Sequence, residues 1–172
     1  MIETARLKLI PCTREHLEIL TSSETALAEH LGVSLADNWL LFPESVAYSI
    51  KMIDDDPQAL IWGMHLIVHT TENKLIGCGG YRGAPDVDGM VEFGYSVAPS
   101  YENQGLATEA ARGLIDHAFA NNSVRMVDAH TLAERNASTK ILQKCGLTKI
   151  AEKHDPEDGD IWHWRLRREE II

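Results

Sequence analysis

The most constraining stretch of this sequence is residues 90–111, where a strand pattern runs through a proline into a helical pattern. Large apolar side chains occupy every second position of its first part, at Val91, Phe93, Tyr95 and Val97. This period of two is typical of a strand with one buried face. Pro99 ends the strand pattern, and helical spacing begins shortly after it. We therefore predict a strand, a tight turn and a helix in direct succession.

The turn in this stretch is a candidate anion site. Gly105 and Ala107 are small, as they must be where a backbone approaches another group closely. The first turn of a helix has N–H groups without intrahelical acceptors and lies at the positive end of the helix dipole, so it suits a phosphate group. The candidate residues are Asn103, Gln104, Gly105, Leu106, Ala107 and Thr108. The alternative is a tight connection in which the glycine serves packing alone.

Composition limits the class of protein. The 172 residues fit one domain, 1–172, and a hydrophobic content of 44% is ordinary for a protein with a core. Lys and Arg number 16 against 26 Asp and Glu, and the net charge of −10 disfavours nucleic-acid and anionic-membrane binding while favouring cationic amines. No apolar run approaches the roughly 20 residues that span a bilayer, and the three cysteines lack metal-binding spacing. We therefore expect a cytoplasmic protein without a metal.

Other patterns predict strands and helices along the whole chain. Thr13 has the character of an N-cap, and Gly32 that of a helix end. One predicted strand contains three glycines, Gly77, Gly79 and Gly80, and a bulge or a close backbone approach is expected there. Strands are predicted at 6–10, 60–70, 75–81, 90–98, 124–129, 147–151 and 161–166. Helices are predicted at 13–22, 23–31, 43–53, 106–121 and 133–145, with a charged, turn-rich connection at 152–160.

Five segments resemble the GNAT N-acetyltransferases, in particular the branch of the ribosomal-protein N-terminal acetyltransferases. They occur in the family's order: ETARLKLIP at 3–11, LIGCGG at 75–80, VEFGYSVAPSY at 91–101, QGLATEA at 104–110 and ERNASTKILQKCGL at 134–147. The resemblance implies the acyl-CoA N-acyltransferase fold of the mixed α/β class. In that fold a central, mostly antiparallel sheet of about seven strands is splayed in the middle, and helices cover both faces.

One position departs from the family's pattern. The family's pyrophosphate loop usually begins with Arg or Gln, followed after two residues by Gly and one residue later by Gly or Ala. Here the first position is Glu102. A carboxylate beside a diphosphate is repulsive unless it points into solvent or pairs with a cation. We expect backbone amides to shape the loop as in the family, and cofactor affinity to be the property that the change affects.

The resemblance also implies how acetyl-CoA is held. Its pantetheine arm would lie along the central strand and form backbone hydrogen bonds there, at Tyr95, Ser96, Val97 and Ala98. Asn136 would hydrogen-bond the cofactor arm, and Ser138 would donate a proton to the departing thiolate. Helix capping is the alternative for both, because Asn136 is a good N-cap residue and Ser138 would fall in the first turn.

Glu92 is the candidate base, since many family members have a carboxylate there that takes the amine proton directly or through water. A solvent-facing strand residue is the alternative. His130 is a second candidate base, with a structural histidine as its alternative. Trp39, in an apolar cluster at 39–42, and Tyr81, at the end of the glycine-thinned strand, are candidate substrate-binding residues. For the cluster of Trp39, packing onto the core is the alternative.

Together these features predict an acetyl-CoA-dependent N-acetyltransferase in which an amine attacks the thioester directly in a ternary complex. The protein would be a monomer or a homodimer, and the acceptor a protein N-terminal amine or a small amine. An α-amine with a pKa of about 7.7–8.0 is partly neutral near pH 7, whereas a lysine amine near 10.4 is neutral in only about one part in a thousand. A single carboxylate base therefore favours an α-amine. A non-catalytic acyl-CoA-binding or sensing domain and an interaction module without a cofactor are the alternatives.

Overall fold

A single sheet organises the computed structural model, which describes residues 1–171 and, of Gln58, the backbone alone; Ile172, the last residue of the predicted 1–172 domain, lies outside the described residues. The described strands are β1 (Ile2–Glu3), β2 (Leu7–Pro11), β3 (Ser34–Leu35), β4 (Met64–His69), β5 (Lys74–Tyr81), β6 (Met90–Val97), β7 (Met126–Leu132), β8 (Thr148–Asp155) and β9 (Gly159–Arg167). Seven of these have five residues or more, which confirms the predicted sheet of about seven strands.

The strands lie in the order β1-β2-β4-β5-β6-β7-β9-β8, and β3 pairs with β5. Neighbours along this order are antiparallel except β6 and β7, which are parallel. The mixed, mostly antiparallel sheet is therefore as predicted. The parallel pair β6–β7 joins the two antiparallel halves of the sheet. The candidate site described below lies around this join.

The first two helices begin and end at residues that their sequence indicates. Thr13 accepts a hydrogen bond from the N–H of His16 at 3.1 Å, and Ser23 accepts one from Ala26 at 3.2 Å, as N-caps do. Gly32, with φ of 68°, closes the second helix in the left-handed conformation. None of the helices within residues 1–171 is both long and apolar enough to cross a membrane. The α-helices are α1 (Arg14–Ser22), α2 (Glu24–Leu31), α3 (Glu44–Asp55), α4 (Leu106–Ala120) and α5 (Ala137–Lys144).

The helices cover both faces of the sheet, as the resemblance implies. On one face α4 packs against β6 and also contacts α5, while α1, α2 and α3 pack together on the other. The apolar stripe of α4 is fully buried at Leu106, Ala110 and Leu114. Because α4 is fixed along its whole length, its first turn has a defined position beside the sheet.

Several predicted elements differ in extent from the observed ones; the strand predicted at 124–129, for example, is observed at Met126–Leu132. A short apolar run does not by itself distinguish a turn from a strand. The strand predicted at 60–70 begins only at Met64; before it, Pro57–Trp62 forms a 3-10 helix. Ala59 and Trp62, three positions apart, are both buried, which is the spacing of that helix. The helix predicted at 133–145 begins at Ala137, because residues 133–136 connect β7 to the cap of α5.

The charged segment 152–160 is mostly strand, where a turn-rich connection was predicted. β8 extends to Asp155 and β9 begins at Gly159, so the hairpin connection between them is short. The Asp155 carboxylate accepts hydrogen bonds from the N–H groups of Glu157 and Asp158 and shapes that turn. β8 is an edge strand, and charged residues are common on exposed edges. The two-residue strands β1 and β3 are too short to show any period and were not predicted.

Glycines allow β5 to lie very close to its neighbours. A Cβ atom added at Gly77 would lie 2.1 Å from the Ser96 carbonyl oxygen of β6. One added at Gly80, where φ is 146°, would lie 2.1 Å from the carbonyl oxygen of Gly63. This is the close backbone approach that the glycine-rich strand predicted. By contrast, a Cβ at Gly94 would have no neighbouring atom within 4 Å.

We expect Gly77→Ala to lower the free energy of unfolding by about 1–3 kcal/mol, since its methyl group displaces the backbone of β6. Gly94→Ala is the matched control on the adjacent strand and should be neutral or slightly stabilising. Urea denaturation followed by circular dichroism measures both. Equal stability of the two variants would contradict the close approach of β5 and β6.

Candidate active site

The join between β6 and β7 opens after only three residue pairs. Met90, Val91 and Glu92 pair with Met126, Val127 and Asp128. Beyond Glu92, β6 remains paired with β5 and β7 with β9. The two strands therefore part, as the resemblance implies, and leave a gap lined by the free edges of β6 and β7.

Along β6, backbone N–H and C=O groups point alternately towards β5 and towards the gap. The Ala98 N–H donates to the Ile76 carbonyl at 2.7 Å, and the Glu92 carbonyl accepts from the N–H of Arg82 at 3.0 Å, so residues of this parity bond towards β5. Tyr95 and Val97 have the opposite parity, and their N–H and C=O groups face the gap. Of the four predicted pantetheine contacts, Ser96 and Ala98 thus direct their backbone groups away from it.

The turn before α4 has the geometry of an anion site. Asn103 and Gly105 both adopt the left-handed conformation, with φ of 58° and 77°, and α4 begins at Leu106. Among the hydrogen bonds of residues 1–171, none has a backbone N–H from Asn103 to Thr108 as its donor. Six adjacent predicted residues therefore offer their amides at the positive end of a helix.

Arg6 supplies a cation beside this turn. Its Nη1 donates to the Gln104 carbonyl at 3.1 Å, and its Nε pairs with the Glu109 carboxylate at 2.7 Å. Glu102 is exposed. The side chain that departs from the family's pattern therefore faces solvent, and a guanidinium from the segment preceding β2 lies against the loop. Sequence analysis did not predict Arg6, because nearly a hundred residues separate it from Gln104.

Asn136 and Ser138 lie at the start of α5. The Asn136 Oδ1 accepts from the Thr139 N–H at 3.0 Å, so the capping role occurs, and it uses only one of the two polar atoms of that amide. Ser138 lies near the Tyr95 hydroxyl, which is buried and has no hydrogen bond of good geometry among the described residues. Burial raises the pKa of Tyr95, and the Ser138 hydroxyl opposes that effect.

Glu92 and His130 form one hydrogen-bonded pair on the opposite face of β6. The His130 Nδ1 is 3.1 Å from the Glu92 Oε1, and the Arg82 Nε is 3.2 Å from the same oxygen. Burial favours the neutral carboxyl of Glu92, but the hydrogen bond from His130 and the charge of Arg82 outweigh it and lower its pKa. The two candidate bases predicted from sequence are therefore neighbours, and Glu92 is held ionised.

A second carboxylate–imidazole pair adjoins the first and was not predicted. The His163 Nε2 is 2.5 Å from the Asp128 Oδ2, and Arg165 pairs with both oxygens of Asp128 at 2.7 Å. The His163 and His130 rings stack with centroids 4.5 Å apart. Asp128 is 2% exposed, and a buried acid inside an apolar strand is a signal that sequence analysis missed.

The two predicted substrate-binding residues are buried. Trp39 is 1% exposed and donates its indole N–H to Glu24 at 2.8 Å, so its burial favours the packing alternative. Tyr81 is 5% exposed, and its hydroxyl donates to the Leu114 carbonyl of α4 at 2.6 Å. Neither side chain offers free surface to a ligand in this conformation, because each is packed and hydrogen-bonded inside the protein. Their roles in binding stay predictions.

The polar groups of the site lie on two sides of β6. Side chains alternate along a strand, so Glu92 and Tyr95 point to opposite faces. The amide-lined turn and the first turn of α5 belong to the face with Tyr95, while His130 and His163 belong to the face with Glu92. Within residues 1–171, no three His, Cys, Asp or Glu side chains come together as a metal site.

The site is thus a parted sheet with free amides on one side and an acid–imidazole pair on the other, and comparison with known proteins gives the family. A sequence profile of the acetyltransferase (GNAT) domain matches residues 6–148. The chain therefore belongs to the GNAT acetyltransferases and is an acetyl-CoA-dependent N-acetyltransferase.

Individual relatives agree with this assignment. The uncharacterized N-acetyltransferase YjdG of Bacillus subtilis (strain 168) is 26% identical over 149 residues, which cover 86% of this chain and 89% of that protein. The ribosomal-protein-S5-alanine acetyltransferase of Vibrio fischeri superimposes with a TM-score of 0.71 at 16% identity over 99% of this chain and 97% of its own. A dodecameric spermidine N-acetyltransferase of Vibrio cholerae superimposes with a TM-score of 0.69 at 15% identity over 98% of each chain. At these identities the two solved structures share the fold alone.

Asp128→Asn should lower the free energy of unfolding near neutral pH by about 2–3 kcal/mol, because it leaves Arg165 without its buried partner. The pKa of Asp128 lies below its ordinary value: burial raises it, but Arg165 and His163 outweigh burial. The charge of Asp128 therefore stabilises the fold above about pH 3.9, and this contribution is lost as pH falls through the lower folded-state pKa. Denaturation of both proteins at several pH values measures the difference.

Asp160→Asn is the matched control, because Asp160 also bonds a histidine, His154, but is exposed. We expect no measurable change in its stability. An Asp128→Asn deficit that stays constant into the acid range would show that the carboxylate charge is not what stabilises the fold.

Proposed function

We propose that this N-acetyltransferase transfers the acetyl group to the α-amine of a protein N-terminus or of a small molecule, by direct attack in a ternary complex. The observation that carries the proposal is the pair of Glu92 and His130 at the point where β6 and β7 part. The thioester reaches the gap from one face of the sheet and the amine from the other. We expect a cytoplasmic, single-domain protein that acts as a monomer or homodimer.

Acetyl-CoA is assigned to the face of α4 and α5. The diphosphate takes the free amides of the turn 103–108, and the pantetheine arm pairs with the free edge of β6 at Tyr95 and Val97. Asn136 donates an N–H of its side-chain amide to the arm. A non-catalytic acyl-CoA-binding role was suggested by Glu102, and the Arg6 guanidinium beside the loop compensates for that departure.

Proton transfers accompany the bond changes at the gap. The acceptor nitrogen loses a proton to the pair formed by Glu92 and His130 and forms a C–N bond with the acetyl carbon. The C–S bond breaks, and the thiolate takes a proton from the hydroxyl of Ser138; water returns a proton to Ser138, and the Glu92–His130 pair releases its proton to solvent. A backbone N–H on the free edge of β6 stabilises the oxyanion between these events.

The charges near Glu92 are of both signs. A polar cleft of about 390 Å³ lies on the same face of β6 and β7 and contains both acidic and basic side chains. Its charged residues are Asp86, Asp88, Arg125, Arg165, Arg167 and Glu169. Arg82 adds a further cation beside Glu92. The acids and the guanidinium groups of the cleft balance each other, so the choice of acceptor rests on proton chemistry: a spermidine amine titrates well above an α-amine and needs a stronger base.

Gly105→Glu should abolish acetyl-CoA binding, because it adds a carboxylate to the turn at a position where φ is positive. Isothermal calorimetry with acetyl-CoA measures the affinity. Gly32→Glu is the control, since Gly32 also has positive φ and open space around it but lies at the end of α2. Undiminished affinity in Gly105→Glu would contradict the site. As a companion, Glu102→Gln should leave the affinity unchanged or raise it.

Glu92→Gln should lower kcat/KM most at pH values below the pKa of the acceptor amine. The deficit should shrink as pH rises, because neutral amine then becomes plentiful and needs no base. Acetylation of a short peptide through its free N-terminus is compared with that of the same peptide carrying a blocked N-terminus and one internal lysine, and with spermidine. The free N-terminus should react fastest.

Two outcomes would contradict this assignment. A loss that does not vary with pH would mean that Glu92 has no part in removing the amine proton. Faster transfer to the internal lysine or to spermidine would overturn the proposed acceptor class, because both amines titrate well above an α-amine.

A further inference from the structure

The imidazole rings of His130 and His163 lie against each other with centroids 4.5 Å apart and planes 26° apart. They belong to directly paired residues of β7 and β9. Each ring is hydrogen-bonded at one nitrogen to a carboxylate, His130 to Glu92 and His163 to Asp128. The proposed function uses His130 and Glu92 and gives the second pair no role.

Hydrogen-bonding chemistry fixes the tautomer of each ring. Glu92 and Asp128 are both held ionised, so each accepts hydrogen bonds only. The Nδ1 of His130 must then donate to Glu92, and the Nε2 of His163 must donate to Asp128. It follows that the Nε2 of His130 carries a lone pair and is free to accept a proton.

The surroundings of His163 keep that ring in place and uncharged. Burial lowers the pKa of His163 against the opposing influence of Asp128. Arg165 offsets the charge of Asp128 through two hydrogen bonds, so the carboxylate favours a charged His163 less strongly. A neutral neighbour matters, because two imidazolium rings at this separation repel each other. The charged or titratable groups facing the two rings are Arg82, Glu92, Asp128, Lys153 and Arg165.

We propose that His163 is a positioning residue: fixed by Asp128 and Arg165, its ring holds the His130 ring so that Nε2 of His130 accepts the amine proton. This rests on the proposed function. The proton leaves the acceptor ammonium before the C–N bond forms, and the imidazolium that results is stabilised by Glu92. His163 touches neither the amine nor the thioester and acts through His130 alone. A ring locked by packing and by a hydrogen-bonded neighbour keeps a catalytic group in its productive geometry.

His163→Ala removes the ring and should lower kcat on the order of 100-fold, because a base displaced by about 1 Å loses that much rate. The KM for acetyl-CoA should not change, since the cofactor lies on the other face of β6. His163→Phe retains a stacked ring without the hydrogen bond to Asp128 and should lose less. His154→Ala is the control, because His154 is an exposed histidine that also bonds a carboxylate, Asp160; its kcat should equal that of the wild type.

Nitrogen NMR of the His130 imidazole in cofactor-free protein gives a readout that does not require turnover. Wild-type protein and His154→Ala should show a single tautomer with Nδ1 protonated, and His163→Ala should show averaging between the two tautomers. Should His163→Ala fail to fold, His163→Phe is compared with the wild type in its place. A rate loss combined with averaging supports the proposal.

Unchanged kcat, or a lowered kcat with a wild-type His130 tautomer, would overturn it. A fall in rate that matches only a loss of folded protein would overturn it as well. If the wild-type protein acetylates no amine, the proposed function fails, and the His130 resonances still decide whether His163 fixes that ring.

Discussion

Everything in this site depends on the short parallel contact between β6 and β7. Three residue pairs join two antiparallel halves of the sheet, and each strand keeps a partner on its other side. The strands can therefore part without unfolding either half. Parting leaves backbone N–H and C=O groups of β6 without partners, and unpaired groups of this kind are costly when buried. An extended chain with amides of its own can satisfy such groups in the manner of an added strand.

The last pair before the gap places two carboxylates on adjacent strands. Glu92 and Asp128 are in direct register, and like charges opposite each other destabilise a sheet unless each is neutralised. Arg82 and His130 do this for Glu92, and Arg165 and His163 do it for Asp128. The same interactions that make the join tolerable also place an imidazole at the gap with one nitrogen free. The ion pairs of Glu92 and Asp128 therefore account both for the stability of the join and for the position of the imidazole.

Local patterns predicted the elements that local interactions determine. The stretch 90–111, the cap at Thr13, and the close glycine of β5 all follow from short-range geometry. The predictions for 60–62 and 133–136 were wrong. At 60–62 the packing of a short apolar run overrides strand propensity, and at 133–136 the cap of α5 overrides helix propensity. His163 and Arg6 were not predicted as site residues, because partners far away in sequence give them their roles.

In the turn before α4, a contact with a residue far away in sequence offsets the presence of Glu102, which departs from the family's pattern. Glu109 in the first turn of α4 accepts from the Thr4 hydroxyl at 2.6 Å and from the Arg6 N–H at 2.7 Å, and it also pairs with the Arg6 guanidinium. These contacts tie the chain before β2 to the start of α4. They also neutralise Glu109, so the free amides of the turn keep their positive potential. An anion there meets aligned dipoles and a nearby guanidinium, while Glu102 faces solvent. The loop therefore receives its neighbouring cation from the segment that precedes β2, and the position of that cation depends on how Thr4 and Arg6 dock against α4.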